Sequence, residues 1–216
     1  MEKLSITIED YLSLIFVLER ENEPVVGVRL AELLGVTPPT VTNTLKRMVR
    51  DGLLVSDKKG TRLTRLGRKS AQTVTRRHML TEWLMVNRLP WSRLHGEAHN
   101  LEHAISEETE SALLDELGHP ATCPHGNPLP GHEEAVASWV ALTSLSPGDE
   151  VIIRRVHELA EQNHELMAFL EERSIMPGAR ARVTEVLPFN QTLTVEVQGL
   201  PSTLGFAAAQ HIFAER

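Results

Sequence analysis

Apolar residues near the start of the chain recur at the three- and four-residue spacing of a helix. The pattern covers residues 7–20, and its apolar positions are Tyr11, Leu12, Leu14, Ile15 and Leu18. Thr7 stands at the position of a helix cap, and Asp10 follows it at the spacing of a capping box. The segment therefore predicts a first helix that begins at Thr7.

Two more helices are predicted after the first, separated from each other by a very short connection. They cover residues 28–34 and 37–51, with Gly35 in the turn between them. Thr37 has the side chain of an N-cap, and Pro38 suits the first helical position because an N–H there would have no partner. This spacing is typical of a helix-turn-helix unit.

A short hairpin is predicted after the third helix. Residues 53–55 and 62–64 are strand-like, and residues 57–60 form the turn between them. A hairpin at this place is the wing of a winged helix-turn-helix domain, which we assign to residues 1–75.

The middle of the chain returns to helical spacing. Helices are predicted over residues 67–88, 92–105 and 106–117, with Pro90 between the first two. A proline-rich segment at residues 119–132 follows, and its four prolines exclude a helix and favour an extended, partly rigid backbone. These elements form a middle domain, residues 76–140.

Beyond residue 146 the pattern changes to short alternating strands. Pro147 and Pro177 each precede a glycine and lead into a strand, and residues 192–197 form another strand. A small barrel over residues 146–216, with one inserted helix at residues 158–173, accounts for this pattern. The chain is thus expected to be mainly α with a small β module.

Composition narrows the class of protein. The chain has 216 residues and one cysteine, Cys123, which excludes an intramolecular disulfide framework and favours a reducing compartment. No apolar run approaches the ~20 residues that span a bilayer, and the first residues lack a signal-peptide pattern. We therefore expect a cytoplasmic protein without a membrane partner.

Charge is distributed unevenly along the chain. The net charge is −7, but residues 1–77 carry 14 Lys and Arg against 9 Asp and Glu, whereas the remainder carries 8 against 20. Residues 40–77 alone hold 11 basic and 2 acidic side chains. A basic amino-terminal unit with helix-turn-helix spacing indicates a double-stranded DNA partner.

The third predicted helix supplies the candidate DNA contacts, which are Thr37, Pro39, Thr40, Thr42, Asn43, Lys46, Arg47 and Arg50. Asn43 can pair with an adenine edge in the major groove, whereas the basic side chains can hold phosphates. The alternative is a helix-turn-helix used for protein contacts, which the basic excess on this helix disfavours.

Histidine and glutamate residues converge on the middle helices. Four of them fall within one arc of about 100° on a single predicted helix: His95, His99, Glu102 and His103. Two more stand four residues apart on the preceding helix and can complete the set: His78 and Glu82. Imidazole and carboxylate donors on one face suit a divalent first-row metal ion, whereas a solvated polar face is the alternative.

Several of these features have a second interpretation. The run from His99 to His103 also matches the HxxEH pattern of inverted zinc peptidases, in which the glutamate is a general base. Asp10 suits a metal ligand as well as a capping partner. Cys123 and His125, in the proline-rich segment, can be metal donors, or else a buried small residue and a turn histidine.

Together these motifs resemble the diphtheria toxin repressor family of metal-dependent transcriptional regulators, nearer to its manganese-responsive branch. The resemblance covers essentially the whole chain and rests on residues 8–12, 39–53, 77–82, 95–103 and 124–131. It implies a winged helix-turn-helix domain, a helical metal-binding and dimerisation domain, and a carboxyl-terminal barrel of the SH3-like, FeoA type.

The resemblance also implies two metal sites. The primary site uses the residues that match Asp10, His99, Glu102 and His103. The ancillary site uses those that match His78, Glu82 and His95, and in some manganese-type relatives also Cys123 and His125. A carboxylate from the third domain sometimes joins them, and the candidates on the inserted helix are Glu161, His164 and Glu165.

Two positions bear on the choice of metal. Asp10 stands where iron-type members have methionine, and a hard oxygen donor favours Mn²⁺. His99 stands where members commonly have Cys or Glu, and this departure from the family pattern leaves Fe²⁺ as an alternative to Mn²⁺. We therefore expect a homodimeric, Mn²⁺-activated repressor of metal-uptake genes that is not an enzyme, with Fe²⁺ as the alternative cofactor. A winged-helix regulator with an organic ligand and a zinc peptidase are the alternatives from other classes.

Overall fold

The computed structural model describes residues 4–57 and 60–216, which divide into two compact units. The first unit ends at Arg77 and the second begins at His78. The first unit opens with helix α1 (Ile6–Arg20), whose predicted apolar face is buried. Ser5, not Thr7, is at the N-cap position of α1, so the expected cap and capping box at Thr7 are wrong.

The helix-turn-helix pattern is confirmed in the first unit. Helix α2 (Gly27–Leu34) ends at Gly35, whose φ of 63° is a left-handed conformation that glycine adopts without strain. Helix α3 (Pro38–Arg50) begins as predicted, because the Thr37 hydroxyl accepts a hydrogen bond from the Thr40 N–H at 3.4 Å. The cap and the turn together set where the exposed face of α3 begins.

The predicted wing is also present. Strands β1 (Leu54–Asp57) and β2 (Gly60–Leu63) pair antiparallel. The expected turn at residues 57–60 includes residues 58 and 59, which lie outside the described residues. Glu19 of α1 accepts a hydrogen bond from the Leu63 N–H at 2.8 Å, so the wing is attached to the first helix.

Three α-helices open the metal-ligand region: α4 (Arg65–Met85), α5 (Leu94–Leu101) and α6 (Glu107–Glu116). Helix α5 lies between two 3-10 turns, Trp91–Arg93 and Glu102–Ala104. The expected continuous helix over residues 92–105 is therefore wrong, because both ends tighten into i to i+3 hydrogen bonding.

The proline-rich segment is not helical, as expected. Cys123 and Leu129 are buried in a cluster with Met79 and Leu80 of α4, so the segment packs on that helix. Gly126 has a φ of +88°, and a Cβ there would lie 1.9 Å from the Arg154 carbonyl oxygen. Glycine at this position allows the segment to approach the following sheet closely.

The carboxyl-terminal part is a six-stranded antiparallel sheet with the strand order β3-β8-β4-β5-β6-β7. Its strands are β3 (Val140–Ala141), β4 (Glu150–Val156), β5 (Arg180–Leu187), β6 (Thr192–Val197), β7 (Leu200–Gly205) and β8 (Ile212–Glu215). The alternating pattern of β5 and β6 places Val183 and Val195 in a fully buried core. The short strand β3 lies before residue 146, where the strand pattern was expected to begin.

Short helices complete this module. The predicted single helix at residues 158–173 is two helices, α7 (Glu158–Glu161) and α8 (His164–Glu172), and α9 (Phe206–Ala209) follows β7. The prediction of one helix is wrong because the Asn163 side chain accepts from the Leu166 N–H at 3.0 Å and starts a new helix. No helix within residues 4–57 and 60–216 has the length and apolarity that a membrane crossing requires.

Candidate metal centres and DNA-binding surface

Helix α4 supplies the first two donors of a buried cluster in the second unit. His78 and Glu82 are one turn apart, and His78 Nε2 lies 3.3 Å from Glu82 Oε1. Both residues are buried. The predicted pairing of these two side chains is therefore present.

His95 of α5 joins the same cluster. Its Nδ1 lies 3.0 Å from His78 Nε2 and 3.7 Å from Glu82 Oε1. The structure thus separates His95 from the other members of its predicted helical arc, since His99, Glu102 and His103 lie in a second cluster described below.

The proline-rich segment adds His125 and Cys123. His125 Nδ1 lies 3.1 Å from Glu82 Oε1, and the ring is fully buried. Cys123 is also buried, and its sulfur lies within 4.8 Å of the ligand atoms of Glu82 and His125. Burial and the nearby Glu82 and Glu161 carboxylates raise the pKa of the Cys123 thiol.

Glu161, at the end of α7, supplies a second carboxylate. Its Oε2 lies 2.9 Å from His95 Nδ1 and 3.3 Å from His125 Nδ1. Of the three third-domain candidates, only Glu161 is buried, whereas His164 and Glu165 are exposed. We call this group the ancillary cluster, and its members are His78, Glu82, His95, Cys123, His125 and Glu161.

The carboxylates of the ancillary cluster dominate its electrostatics. Burial favours the neutral imidazole, but Glu161 and Glu82 raise the pKa of His95 to about 9. The same carboxylates outweigh burial at His125 and raise its pKa to about 9. Burial also opposes the charge on Glu82, yet the nearby histidines, led by His125, lower its pKa well below the usual range. Without a cation, the cluster therefore holds protons that balance its carboxylates.

One atom in the ancillary cluster is left without a partner. Among the described residues, the buried Glu82 Oε2 has no hydrogen-bond partner, which is costly for a carboxylate oxygen. Neighbouring nitrogen and oxygen atoms of the cluster lie 2.9–3.7 Å apart. Ligand atoms that each lie roughly 2.0–2.2 Å from one shared first-row cation have similar separations from one another. The donor set and the unpartnered oxygen therefore fit a divalent cation.

A second group, which we call the primary cluster, lies at the end of α5 and consists of His99, Glu102 and His103. Glu102 Oε1 is 3.6 Å from His99 Nδ1 and 3.4 Å from His103 Nε2. Burial raises the pKa of Glu102, but hydrogen bonds from His78 and His99 outweigh it and lower the pKa to about 2. An ionised carboxylate between two imidazoles is again a donor set for a divalent cation.

Two sequence interpretations of this region have different outcomes. Asp10 belongs to the first unit, and its role as a primary-site ligand stays a prediction. The HxxEH interpretation requires both histidines and the glutamate on a regular helix, but Glu102 and His103 lie in the 3-10 turn that follows α5. That geometry does not support a peptidase.

The predicted DNA-contacting residues share one feature, exposure to solvent. All eight are exposed on or next to α3: Thr37, Pro39, Thr40, Thr42, Asn43, Lys46, Arg47 and Arg50. Val41 and Met48 of the same helix are buried. Helix α3 thus presents a polar and basic face while its apolar face packs inside the unit.

Two residues that orient cluster members were not anticipated. The Asn127 amide donates to Glu161 Oε1 at 2.5 Å and accepts from the Arg155 guanidinium at 2.6 Å, so Glu161 Oε2 is turned to the ligands. The Trp91 carbonyl accepts from His125 Nε2 at 3.1 Å. The only signal of these roles in the sequence is that the tryptophan and the asparagine stand near predicted ligands along the chain. The contacts themselves join residues that are 34 positions apart, so spacing along the chain does not predict them.

Comparison with known families matches all three parts of the chain. Residues 3–61 match the DNA-binding domain of iron-dependent repressors, and residues 64–131 match their metal-binding and dimerisation domain. Residues 140–216 match the FeoA domain.

Known proteins are similar to the chain over most of its length. The iron-dependent repressor IdeR of Mycobacterium tuberculosis is 36% identical, with 90% of this chain and 94% of that protein covered. The diphtheria toxin repressor of Corynebacterium jeikeium is 34% identical, with 83% and 85% covered. Among solved structures, a manganese-dependent transcriptional repressor in complex with manganese has a TM-score of 0.82 at 29% identity, covering 96% and 98%. ScaR with bound Cd²⁺ has a TM-score of 0.80 at 30% identity, covering 97% and 99%.

The winged helix-turn-helix, the histidine and carboxylate clusters and the six-stranded module together define a metal-dependent transcriptional repressor. The chain belongs to the iron-dependent repressor family that includes IdeR and diphtheria toxin repressor. This family consists of DNA-binding repressors with a dimerisation domain, not of enzymes.

Proposed function

We propose that the protein is a Mn²⁺-activated repressor of metal-uptake genes that acts in the cytoplasm. The observation that supports Mn²⁺ as the activating ion is the composition of the primary cluster, whose donors are one carboxylate and two imidazoles, without sulfur. The proposed fourth ligand, Asp10, adds a second hard oxygen donor. Carboxylate and imidazole ligands suit Mn²⁺, which has little preference for soft sulfur.

Fe²⁺ is the second candidate cofactor, and two observations favour it. Curated relatives that resemble the chain over most of its length are named iron-dependent repressors. Cys123 also lies in the ancillary cluster, and a thiolate is a softer donor than Mn²⁺ prefers.

The proposed response to metal runs through α1. A bound divalent cation supplies the positive charge that holds carboxylates and imidazoles from separate elements together. Asp10 is on α1, and Glu19 near the end of the same helix accepts a hydrogen bond from Leu63 in the wing and pairs with Arg68 of α4. A constraint on Asp10 therefore reaches the wing through one rigid helix.

Operator binding is proposed to use two protomers. The exposed face of α3 enters a major groove, with Asn43 at base edges and Arg47 at phosphates. Large apolar side chains of the helical part of the second unit are exposed, among them Leu84, Leu89 and Leu101. Such residues support a dimer interface in this region, and two protomers can then bind two successive half-sites.

The test is a metal titration of operator binding under anaerobic conditions. An operator is first selected from random duplex DNA with Mn²⁺-saturated protein. Binding is then measured against buffered free Mn²⁺, Fe²⁺, Co²⁺ and Zn²⁺. Because most sites bind Fe²⁺ more tightly than Mn²⁺, half-maximal binding at an equal or lower concentration of Mn²⁺ supports manganese sensing.

Two outcomes contradict the proposal. Half-maximal binding at ~10-fold less Fe²⁺ than Mn²⁺, equivalent to ~1.4 kcal/mol, favours the iron alternative. Equal DNA affinity with chelator and with every metal contradicts metal activation itself and favours a regulator with an organic ligand.

A further inference from the structure

Glu171 of α8 caps the 3-10 turn that precedes α5. Its Oε1 accepts from the Trp91 N–H at 2.8 Å, and its Oε2 accepts from the Ser92 N–H at 3.3 Å and the Ser92 hydroxyl at 2.6 Å. Partial burial raises the pKa of Glu171, but these hydrogen bonds outweigh it and lower the pKa. Glu171 is therefore an ionised acceptor that fixes the Trp91 backbone from about 80 residues away.

Trp91 in turn holds the segment that carries His125. Its indole N–H donates to the Pro124 carbonyl at 3.1 Å, and its ring centroid lies 4.7 Å from that of His125. Its own carbonyl accepts from His125 Nε2 at 3.1 Å. The residue that Glu171 fixes thus contacts both the backbone and the ring of the ligand segment.

The bond to the Trp91 carbonyl assigns a role to each nitrogen of His125. A carbonyl oxygen can only accept, so Nε2 carries a hydrogen and the lone pair of the neutral ring is on Nδ1. Nδ1 is the atom that lies 3.1 Å from Glu82 Oε1 and 3.3 Å from Glu161 Oε2. The Trp91 carbonyl therefore directs the donor atom of His125 into the ancillary cluster.

We propose that Glu171 is a positioning residue for His125. By fixing the Trp91 peptide, it holds the His125 ring in the orientation and tautomer that present Nδ1 as a ligand. This inference rests on the proposed function, because it requires a cation in the ancillary cluster. It gives the carboxyl-terminal module two roles there, a ligand at Glu161 and an orienting group at Glu171.

The first test is Mn²⁺ binding by equilibrium dialysis of the full-length chain. A His103→Ala background weakens the primary cluster, so that binding reports on the ancillary cluster. In that background, Glu171→Ala is expected to lower Mn²⁺ affinity ~10-fold, as does the loss of other groups that orient metal ligands. Glu171→Gln keeps an acceptor for the Trp91 N–H and is expected to recover part of the affinity. Glu172→Ala changes an exposed neighbouring carboxylate and is the matched control, with parent affinity expected.

The second test separates positioning from a general loss of stability. In a His125→Ala background, which keeps the primary cluster, Glu171→Ala is expected to leave Mn²⁺ affinity unchanged. ¹⁵N spectra of the Cd²⁺-bound chain then show which ring nitrogen of His125 is the ligand. We expect Nδ1 in the parent chain and loss of that Nδ1 signal in Glu171→Ala.

Parent-like affinity in Glu171→Ala overturns the inference. The inference is also overturned if Glu171→Ala lowers Mn²⁺ affinity equally in both backgrounds and, in the Glu171→Ala chain that keeps His125, Nδ1 is still bound to Cd²⁺. Those results are what a purely structural role of Glu171 would give. Failure of the proposed function looks different. In that case, adding His125→Ala or His78→Ala to the His103→Ala chain does not reduce its Mn²⁺ binding.

Discussion

His78 contacts one carboxylate in each cluster, with Nδ1 2.5 Å from Glu102 Oε2 and Nε2 3.3 Å from Glu82 Oε1. When Nε2 is a metal ligand, Nδ1 must carry the hydrogen and donate it to Glu102. One rigid ring therefore connects the ancillary cluster to the central carboxylate of the primary cluster.

His78→Ala is expected to weaken metal binding at both clusters. The ancillary cluster loses a ligand, and the primary cluster loses the group that orients Glu102, which we expect to cost it ~10-fold in Mn²⁺ affinity. Equilibrium dialysis in the His125→Ala background measures the primary cluster. His119→Ala, which removes an exposed histidine paired with Asp115, is the control. Unchanged affinity of the primary cluster in His78→Ala contradicts the connection.

Metal binding is expected to release protons at neutral pH. His95 and His125 each have a pKa raised to about 9, so both are largely protonated below that pH and must lose a proton to become ligands. Affinity of the ancillary cluster for Mn²⁺ should therefore rise as the pH increases from 6.5 toward 9. Calorimetry in buffers of different ionisation enthalpy counts the protons, and His125→Ala should release about one fewer. Affinity for Mn²⁺ that does not rise with pH in this range would contradict the release of protons on metal binding.

Asp10→Asn is expected to abolish most of the Mn²⁺ response of DNA binding. The amide keeps the size of the side chain but lacks the charge that a hard cation requires. The free energy of unfolding of the metal-free protein should change by less than about 1 kcal/mol, since Asp10 is not in a capping box. The measurement is the free Mn²⁺ concentration at half-maximal operator binding. Glu9→Gln, on the same helix, is the matched control. A response of Asp10→Asn equal to that of the parent removes Asp10 from the site.

Asn43→Ala and Arg47→Ala are expected to change DNA binding in different ways. Both side chains are exposed on α3, but Asn43 is proposed to contact a base and Arg47 a phosphate. Asn43→Ala should lose ~1–3 kcal/mol at its preferred base and relax the sequence preference. Arg47→Ala should weaken specific and nonspecific DNA alike and reduce the salt dependence. A loss confined to the specific operator in Arg47→Ala would reassign that residue to base contact.

Gly126→Ala is expected to destabilise the second unit. The added Cβ would meet the Arg154 carbonyl oxygen at 1.9 Å, and the φ of +88° is already strained for alanine. Gly131→Ala is the control, because its φ is +96° but nothing lies within 4 Å of the added Cβ. Thermal unfolding should therefore show a loss for Gly126→Ala that exceeds that of the control by about 1–3 kcal/mol. Equal losses would mean that only backbone strain matters at both positions.

The sequence alone determined the features that depend on residues close together along the chain, such as helix starts and helix faces. The Thr37 cap and Pro38 begin α3, and the helical spacing of Val41 and Met48 sets its buried face. His78 and Glu82 share a face because helical geometry places residues four apart side by side. The change from helical spacing to alternating strands indicated the three-part organisation, and the family resemblance added the division of the candidate ligands into two sets.

Tertiary structure decided what depends on packing between distant segments. Glu161, not His164 or Glu165, faces His95. Helix α7 ends at Glu161 and the Asn163 side chain starts a new helix, on which His164 and Glu165 are exposed to solvent. Glu102 and His103 lie in the 3-10 turn after α5, so they leave the regular helix that carries His95 and His99, although one continuous helix was expected to align all four. The roles of Trp91 and Glu171 likewise come from hydrogen bonds between residues 34 and 80 positions apart. Spacing along one helix fixes neighbours only within about two turns, whereas such contacts exist only once the separate elements pack against one another.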